Sequence, residues 1–245
     1  MSGGLHVRET QLLELMDDPD CDLQRLENTY RLFGPVNRVV SGWRGLYRDR
    51  IRPLLAMSRT DDTGPDARRP FRLLDLGSGG GDIARSLAGW ARHDGLPLEV
   101  TAADPDERAH AFASAVPHPG VEVRRAWASE LVAAGERFDL VVSNHVLHHL
   151  DDVPGFLDES ERLAPRALHS DIRRSSLAFA LYSAATWPWA RRSFIFSDGR
   201  LSIRRSYTAE ELQALAPTGW RAEAVRPFRV VLSRGMPTPA EGGRG

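Results

Sequence analysis

Two hydrophobic rhythms divide the chain. Through residues 1–60 apolar positions recur every three or four residues, as in QLLELM and LQRLENTYRLF, the spacing of one helix face. Pro35 is suited to open a further helix whose Val36, Val39, Val40, Trp43, Leu46, Ile51 and Leu54 form an apolar face. A polar, turn-rich stretch at 58–70 predicts a linker. From there short apolar runs alternate with helical periods, which predicts strands near 71–76, 98–103, 121–126, 138–143 and 166–170 and helices near 82–93, 105–115 and 152–163. Thr208 with Glu211 three residues on forms a capping box that opens a late helix, and strands near 219–225 and 227–233 follow it. Repeated strand–helix–strand units imply an α/β, doubly wound, mainly parallel sheet with helices on both faces. The predicted organisation is an N-terminal helical lid (1–60), a sheet domain (68–234) and a Gly- and Pro-rich tail (235–245) expected to be disordered.

The sharpest signal is FRLLDLGSGGGD at 71–82, an apolar run that ends in an acid and four glycines before a helical segment. A strand–glycine loop–helix unit lets a ligand lie against backbone and aims free N–H groups at it. The dinucleotide fingerprint G-x-G-x-x-G fails, because Asp82 stands where its third glycine belongs. Asp75, Gly77, Gly79 and Gly81 instead compose D-x-G-x-G-x-G, which resembles motif I of the class I S-adenosylmethionine-dependent methyltransferases. LEVTAAD, ending in Asp104, and FDLVVSNHVLHHLDD at 138–152 resemble that family's second-strand end and its fourth strand with the following loop.

The resemblance implies a Rossmann-like seven-stranded sheet with an antiparallel last strand, and S-adenosyl-L-methionine as methyl donor. It implies that Asp75 holds the amino end of the donor's methionine moiety, that Gly77, Gly79 and Gly81 allow close approach, and that Asp104 binds the ribose diol. Asp75 could equally serve the helix N-terminus, and Asp104 could cap a helix starting at Pro105. The acid that many relatives place after the third strand is missing before Glu130, which leaves adenine to backbone groups and to Trp127 or Ser129. Asn144 and His145 are predicted beside the reactive methyl, with His148 and His149 just beyond. His145 or His148 is the candidate base for a phenol or carboxyl acceptor; the alternative is a packing role. The connection 171–207 is long for such a fold, and the resemblance implies that it covers the acceptor opening together with the N-terminal helices.

Composition narrows the reading further. A formal net charge of −1 gives no general field for nucleic acid. One cysteine, Cys21, allows no intrachain disulfide and suggests no zinc cluster, so no metal is expected. The N-terminus carries acids and lacks the apolar core of a signal peptide, and the apolar stretch 177–190 is too short for a bilayer and holds Pro188, which together predict a cytoplasmic protein without membrane association. Nothing in the chain sets an oligomeric state. Every one of its 32 basic residues beside the histidines is arginine, the mark of a GC-rich genome or, locally, of anion-gripping forks. The repeated Arg-Arg-Ser of 173–175, 191–193 and 204–206 could hold an acceptor's carboxylate or polyphenolate, could be solvated lid surface, or could pair with the acidic helix around Asp158, Glu159 and Glu161. The predicted activity is methyl transfer to a small molecule, most simply O-methylation of a phenolic, quinone or polyketide-like acceptor. The alternatives are a nucleotide-dependent oxidoreductase and a catalytically silent cofactor-binding module.

Overall fold

The computed structural model describes residues 5–58 and 69–237, with the side chains of 35–40 excepted. Residues 238–245 of the predicted tail lie outside these residues, as do most of the predicted linker and the side chains of Val36, Val39 and Val40; Met236, placed in the disordered tail, instead packs against the core.

Seven strands, β1 (Phe71–Leu76), β2 (Leu98–Ala103), β3 (Val121–Arg124), β4 (Leu140–Asn144), β5 (Ala167–Ile172), β6 (Arg221–Val225) and β7 (Arg229–Arg234), form one sheet in the order β3-β2-β1-β4-β5-β7-β6. The first five are mutually parallel, with β1 between β2 and β4. β7 runs antiparallel to both β5 and β6. The central strands are apolar at nearly every position because both faces are covered. Leu73, Val100, Leu140 and Val142 pack on one side beneath α4 (Asp82–His93), with Trp43, Leu46 and Ile51. Leu74, Val141, Val230 and Leu232 pack on the other with Leu131, Leu157 and Leu212. The order reverses between β1 and β4, and that is where an open α/β sheet leaves a crevice at its strand ends.

Several boundaries shift. The N-terminal α1 (Leu23–Val40) runs through position 35 instead of restarting there, and the break falls at Gly42, whose φ is 68°. Helix then continues as α2 (Trp43–Leu46), a π-turn (Tyr47–Ile51) and α3 (Arg52–Met57). QLLELM is not a helix. Only Leu15–Asp17 makes a 3-10 turn. Six residues without a cap nucleate poorly, and this stretch takes its partners elsewhere: the N–H of Glu9 bonds Arg204 O and that of Met16 bonds Asp198 Oδ2. The helix expected from 105 begins later, as α5 (Glu107–Ser114), with Asp106 as its N-cap and not Asp104. A short helix unread from the sequence, α6 (Ala128–Ala133), follows β3. α7 (Val153–Leu163) starts at the Asp152 cap. The 171–207 connection holds α8 (Ser176–Thr186), ended by the Trp187–Trp189 turn, and α9 (Ile195–Arg205). α10 (Ala209–Leu215) starts at the predicted box: Glu211 N–H donates to Thr208 Oγ1 at 3.3 Å and Thr208 N–H to Glu211 Oε2 at 2.8 Å.

Candidate active site

A cavity of about 1570 Å³ opens at the C-terminal ends of the strands. Single-ligand pockets usually measure roughly 300–1,000 Å³, so there is space for two ligands. Its wall holds the glycine loop with Asp75, Asp82 and Asp104, together with the apolar and aromatic Leu32 and Phe33 of α1 and Leu181, Tyr182 and Trp189 of the 171–207 connection.

Asp75 sits near the end of β1, 1% exposed, and neither carboxylate oxygen has an aligned hydrogen-bond partner, although the Ala84 N–H in the first turn of α4 faces it and favours its charge. Burial, then the nearby Asp82 and Asp104, push it well above the usual carboxylate range. Ser78 Oγ in the loop is buried and equally unpartnered. An unpaired buried acid is costly unless a cation joins it. The ammonium of an amino-acid ligand is such a cation, so the residues present fit the methionine end of S-adenosylmethionine.

Gly77 and Gly79 line the cavity with φ of 65° and 51°. A Cβ on Gly77 would stand 2.5 Å from Val146 Cγ2 in the loop after β4, so only glycine lets the β1 and β4 loops close on each other. A Cβ on Gly79 would meet nothing within 4 Å. Gly81 is not a lining residue; as the left-handed N-cap of α4 it turns the chain into the helix, and Gly80 lines the cavity in its place. Asp104 accepts the Gly79 N–H on Oδ2 at 2.8 Å and the Asp106 N–H on Oδ1 at 2.9 Å, which ties the loop to the end of β2 and leaves a lone pair on each oxygen. Trp127 is 62% exposed at the rim beside Ser129, and its N–H donates to Glu130 Oε2 at 2.8 Å, so that acid serves the backbone.

Asn144 is the last residue of β4 and does not follow the strand. Its Oδ1 accepts from Trp43 Nε1 at 2.9 Å and from Arg229 Nη2 at 2.6 Å. Arg229, buried on β7, also reaches Ser170 Oγ, and its Nη1 lies 2.9 Å from His145 Nε2. Burial pulls this guanidinium down to about 10, still charged at neutral pH. His145 has φ of 61°, the one positive value at a non-glycine among the described residues. Burial and Arg229 hold it at about 4. Its Nε2 lone pair therefore accepts from Arg229 and is not directed at an acceptor.

His148 is buried with Nδ1 at 2.8 and 2.9 Å from the two oxygens of Asp171 and Nε2 3.4 Å from Glu14 Oε1. Burial opposes its charge, but the two carboxylates outweigh burial and lift it to about 9. Burial would raise Asp171 and Glu14 as well; their histidines override it, holding Asp171 well below its ordinary range and Glu14 at about 2. His149 stacks on His148 at 4.2 Å, with Nδ1 3.4 Å from Asp17 Oδ2 and Nε2 3.8 Å from Glu14 Oε2. Thus the two histidines singled out as bases are each engaged by charged partners, and the cluster includes Glu14, Asp171 and Arg229, which no local pattern marked.

The arginine pairs do not meet the acidic helix as expected. Arg174 donates to Leu5 O, Ser206 O and Glu211, and Arg205 to Leu12 O, while Arg8 returns a bond to Arg205 O. They strap the N-terminal segment over the cavity. Glu161 of the acidic helix pairs with Trp220 and Arg234 instead.

Fold and cavity define an α/β protein with an acidic, glycine-lined and partly aromatic ligand site at the sheet's switch point. A family model described as a methyltransferase domain matches residues 47–222, and the chain belongs to that family. It is 35% identical over 130 residues, 49% of each chain, to the ubiquinone biosynthesis O-methyltransferase of Methylobacterium sp. (strain 4-46). It is 36% identical over 173 residues, 63% of this chain and 66% of the relative, to the protein of that name from Rhizobium rhizogenes (strain K84 / ATCC BAA-868). The chain spans about half the length, or less, of the first curated relatives it matches. In fold it is similar to the plantazolicin methyltransferase BpumL, solved with a triazolic desmethylPZN analog and SAH: TM-score 0.57 at 10% identity, covering 86% of this chain and 95% of that one.

Proposed function

We propose that the chain transfers a methyl group from S-adenosyl-L-methionine to an oxygen of a small phenolic, quinone-like or polyketide-like acceptor. The observation that carries this reading is the cavity itself, whose wall combines a buried carboxylate without an aligned partner, the glycine loop and a set of apolar and aromatic side chains. Bound S-adenosylmethionine supplies an electrophilic methyl carbon. Asp75 and Ser78 hold the amino-acid end, the free lone pairs of Asp104 take the ribose hydroxyls, and Trp127 and Ser129 flank the base. Gly77, Gly79 and Gly80 keep the backbone close. Phe33, Leu181, Tyr182 and Trp189 hold the acceptor and exclude water, so that the chain contributes mainly orientation. The row of His145, His148 and His149 borders the acceptor oxygen, and the relatives' printed role in O-methylation supports the choice of oxygen.

The N-terminal segment, predicted as a lid over 1–60, and the connection 171–207 serve as the cover of the sheet domain; the Arg8, Arg174 and Arg205 bonds between them support this. A net charge of −1 supports a small-molecule partner over nucleic acid. No helix among the described residues is long and apolar enough to cross a membrane, which supports placing the reaction in the cytoplasm. Incubation with the methyl donor and a panel of catechols, hydroxyquinols and phenolic polyketides tests the reading. Release of S-adenosylhomocysteine with a product one methyl heavier is expected. Tight binding of S-adenosylhomocysteine with no product across the panel would show a silent module instead.

A further inference from the structure

Glu14, His148 and His149 converge on the cavity wall from two distant stretches of chain. Their nearest ligand atoms lie within 4.8 Å of one another. His148 and His149 belong to the 3-10 turn Leu147–His149 that follows β4, and Glu14 immediately precedes the Leu15–Asp17 turn. His148 Nε2 is buried and lacks a hydrogen-bond partner: at 3.4 Å its approach to Glu14 Oε1 is a charge contact and not an aligned bond. Its other nitrogen is held by Asp171, which is itself fixed by the N–H groups of His148 and Ile172. His149 repeats the arrangement, with Nδ1 facing Asp17 and Nε2 facing Glu14. Ser202 Oγ donates to Glu14 Oε1 at 2.6 Å and orients that carboxylate.

A carboxylate on one nitrogen of each imidazole, with the other nitrogen near a shared carboxylate, is the pattern that sets the tautomer of metal-ligating histidines. The spacing agrees. Metal bonds of about 2.0–2.2 Å at tetrahedral angles separate ligand atoms by about 3.3–3.6 Å; His148 Nε2 stands 3.4 Å from Glu14 Oε1 and His149 Nε2 3.8 Å from Glu14 Oε2, so the carboxylate would meet an ion through both oxygens or turn slightly. The other group of possible ligands, His145, His148 and Asp171, offers no such set, because His148 Nδ1 and Asp171 bind each other and His145 Nε2 faces Arg229. We propose that Glu14, His148 and His149 form a site for one divalent first-row transition ion, open toward the cavity. Two imidazoles and one carboxylate suit Zn²⁺, Fe²⁺, Co²⁺ or Ni²⁺ better than Mg²⁺ or Ca²⁺. The single cysteine pointed away from a metal; these ligands are imidazole and carboxylate, one of them brought from the N-terminal segment.

The test is a Co²⁺ titration of the full chain after chelator treatment, followed by visible absorption, with Zn²⁺ competition by calorimetry. One equivalent producing ligand-field bands that Zn²⁺ abolishes is the expected result. Glu14→Gln and His149→Ala should each weaken binding at least tenfold, and Asp171→Asn by about 10- to 100-fold. His93→Ala, on the exposed last turn of α4, should bind as the unaltered protein does. Melting curves on each variant separate ligand loss from unfolding. Absence of bands in the unaltered, folded protein overturns the proposal, as does undiminished affinity in both ligand variants. Either result would leave the cluster as an ion-paired clasp alone.

Discussion

Replacing Asp75 by Asn tests the cofactor site at its least compensated atom. The carboxylate is 1% exposed, has no aligned hydrogen-bond partner, and burial with Asp82 and Asp104 holds it well above its ordinary range. The folded chain thus keeps a proton there that the unfolded chain releases above about pH 4. The unfolded state binds fewer protons in that window, so ligand-free stability from this group is full below the ordinary carboxylate range and falls as pH rises toward the folded value. Asp75→Asn removes this slope, and its Tm at neutral pH should equal or exceed that of the parent. Cofactor binding moves the other way. A charge-assisted hydrogen bond contributes about 1.5–3 kcal/mol, so the variant should bind S-adenosylhomocysteine roughly 10- to 150-fold more weakly. Calorimetry gives the affinity, and melting curves from pH 4 to 8 give the slope. An unchanged affinity, or a variant less stable than the parent at every pH, would refute the assignment of Asp75 to the ligand.

Two of the lining glycines, Gly77 and Gly79, separate packing from ligand approach. Gly77→Ala forces a Cβ into Val146 and should lower both Tm and cofactor affinity, whereas Gly79→Ala meets open space at a φ of 51° and should cost about 1 kcal/mol of stability with a disproportionate loss of S-adenosylhomocysteine binding in the same assays. His169 is fully buried against Ser143 and held at about 3 by burial, so the unfolded chain takes up the extra proton as pH falls below about 6.5; stability declines toward pH 3 at up to about 1.4 kcal/mol per pH unit, and urea titrations of His169→Gln should show a flatter acid limb. Arg174→Met deletes the bonds to Leu5, Ser206 and Glu211, and limited proteolysis should then cut the N-terminal segment before the sheet domain; equal protection in both proteins would count against the strap.

What the chain declares by itself is local. The five parallel strands, the glycine loop and the Thr208–Glu211 box are each written in consecutive residues, because strand period, backbone freedom and capping depend on neighbours a few positions apart. Asp75 and Asp104 were legible for the same reason, each closing an apolar strand. The failures share another cause. QLLELM has a helical pattern, yet six residues cannot outweigh the partners that α9 offers, and Pro35 lies within a helix that continues around it. The choice between a base and a packing role for His145 and His148 could not be read locally, because their partners lie far along the chain: Arg229 is 84 residues from His145, and Asp171 is 23 from His148. Only the folded sheet, which sets β7 beside β5 and draws the N-terminal segment across the cavity, decides where those charges meet, and so which nitrogens remain available for chemistry.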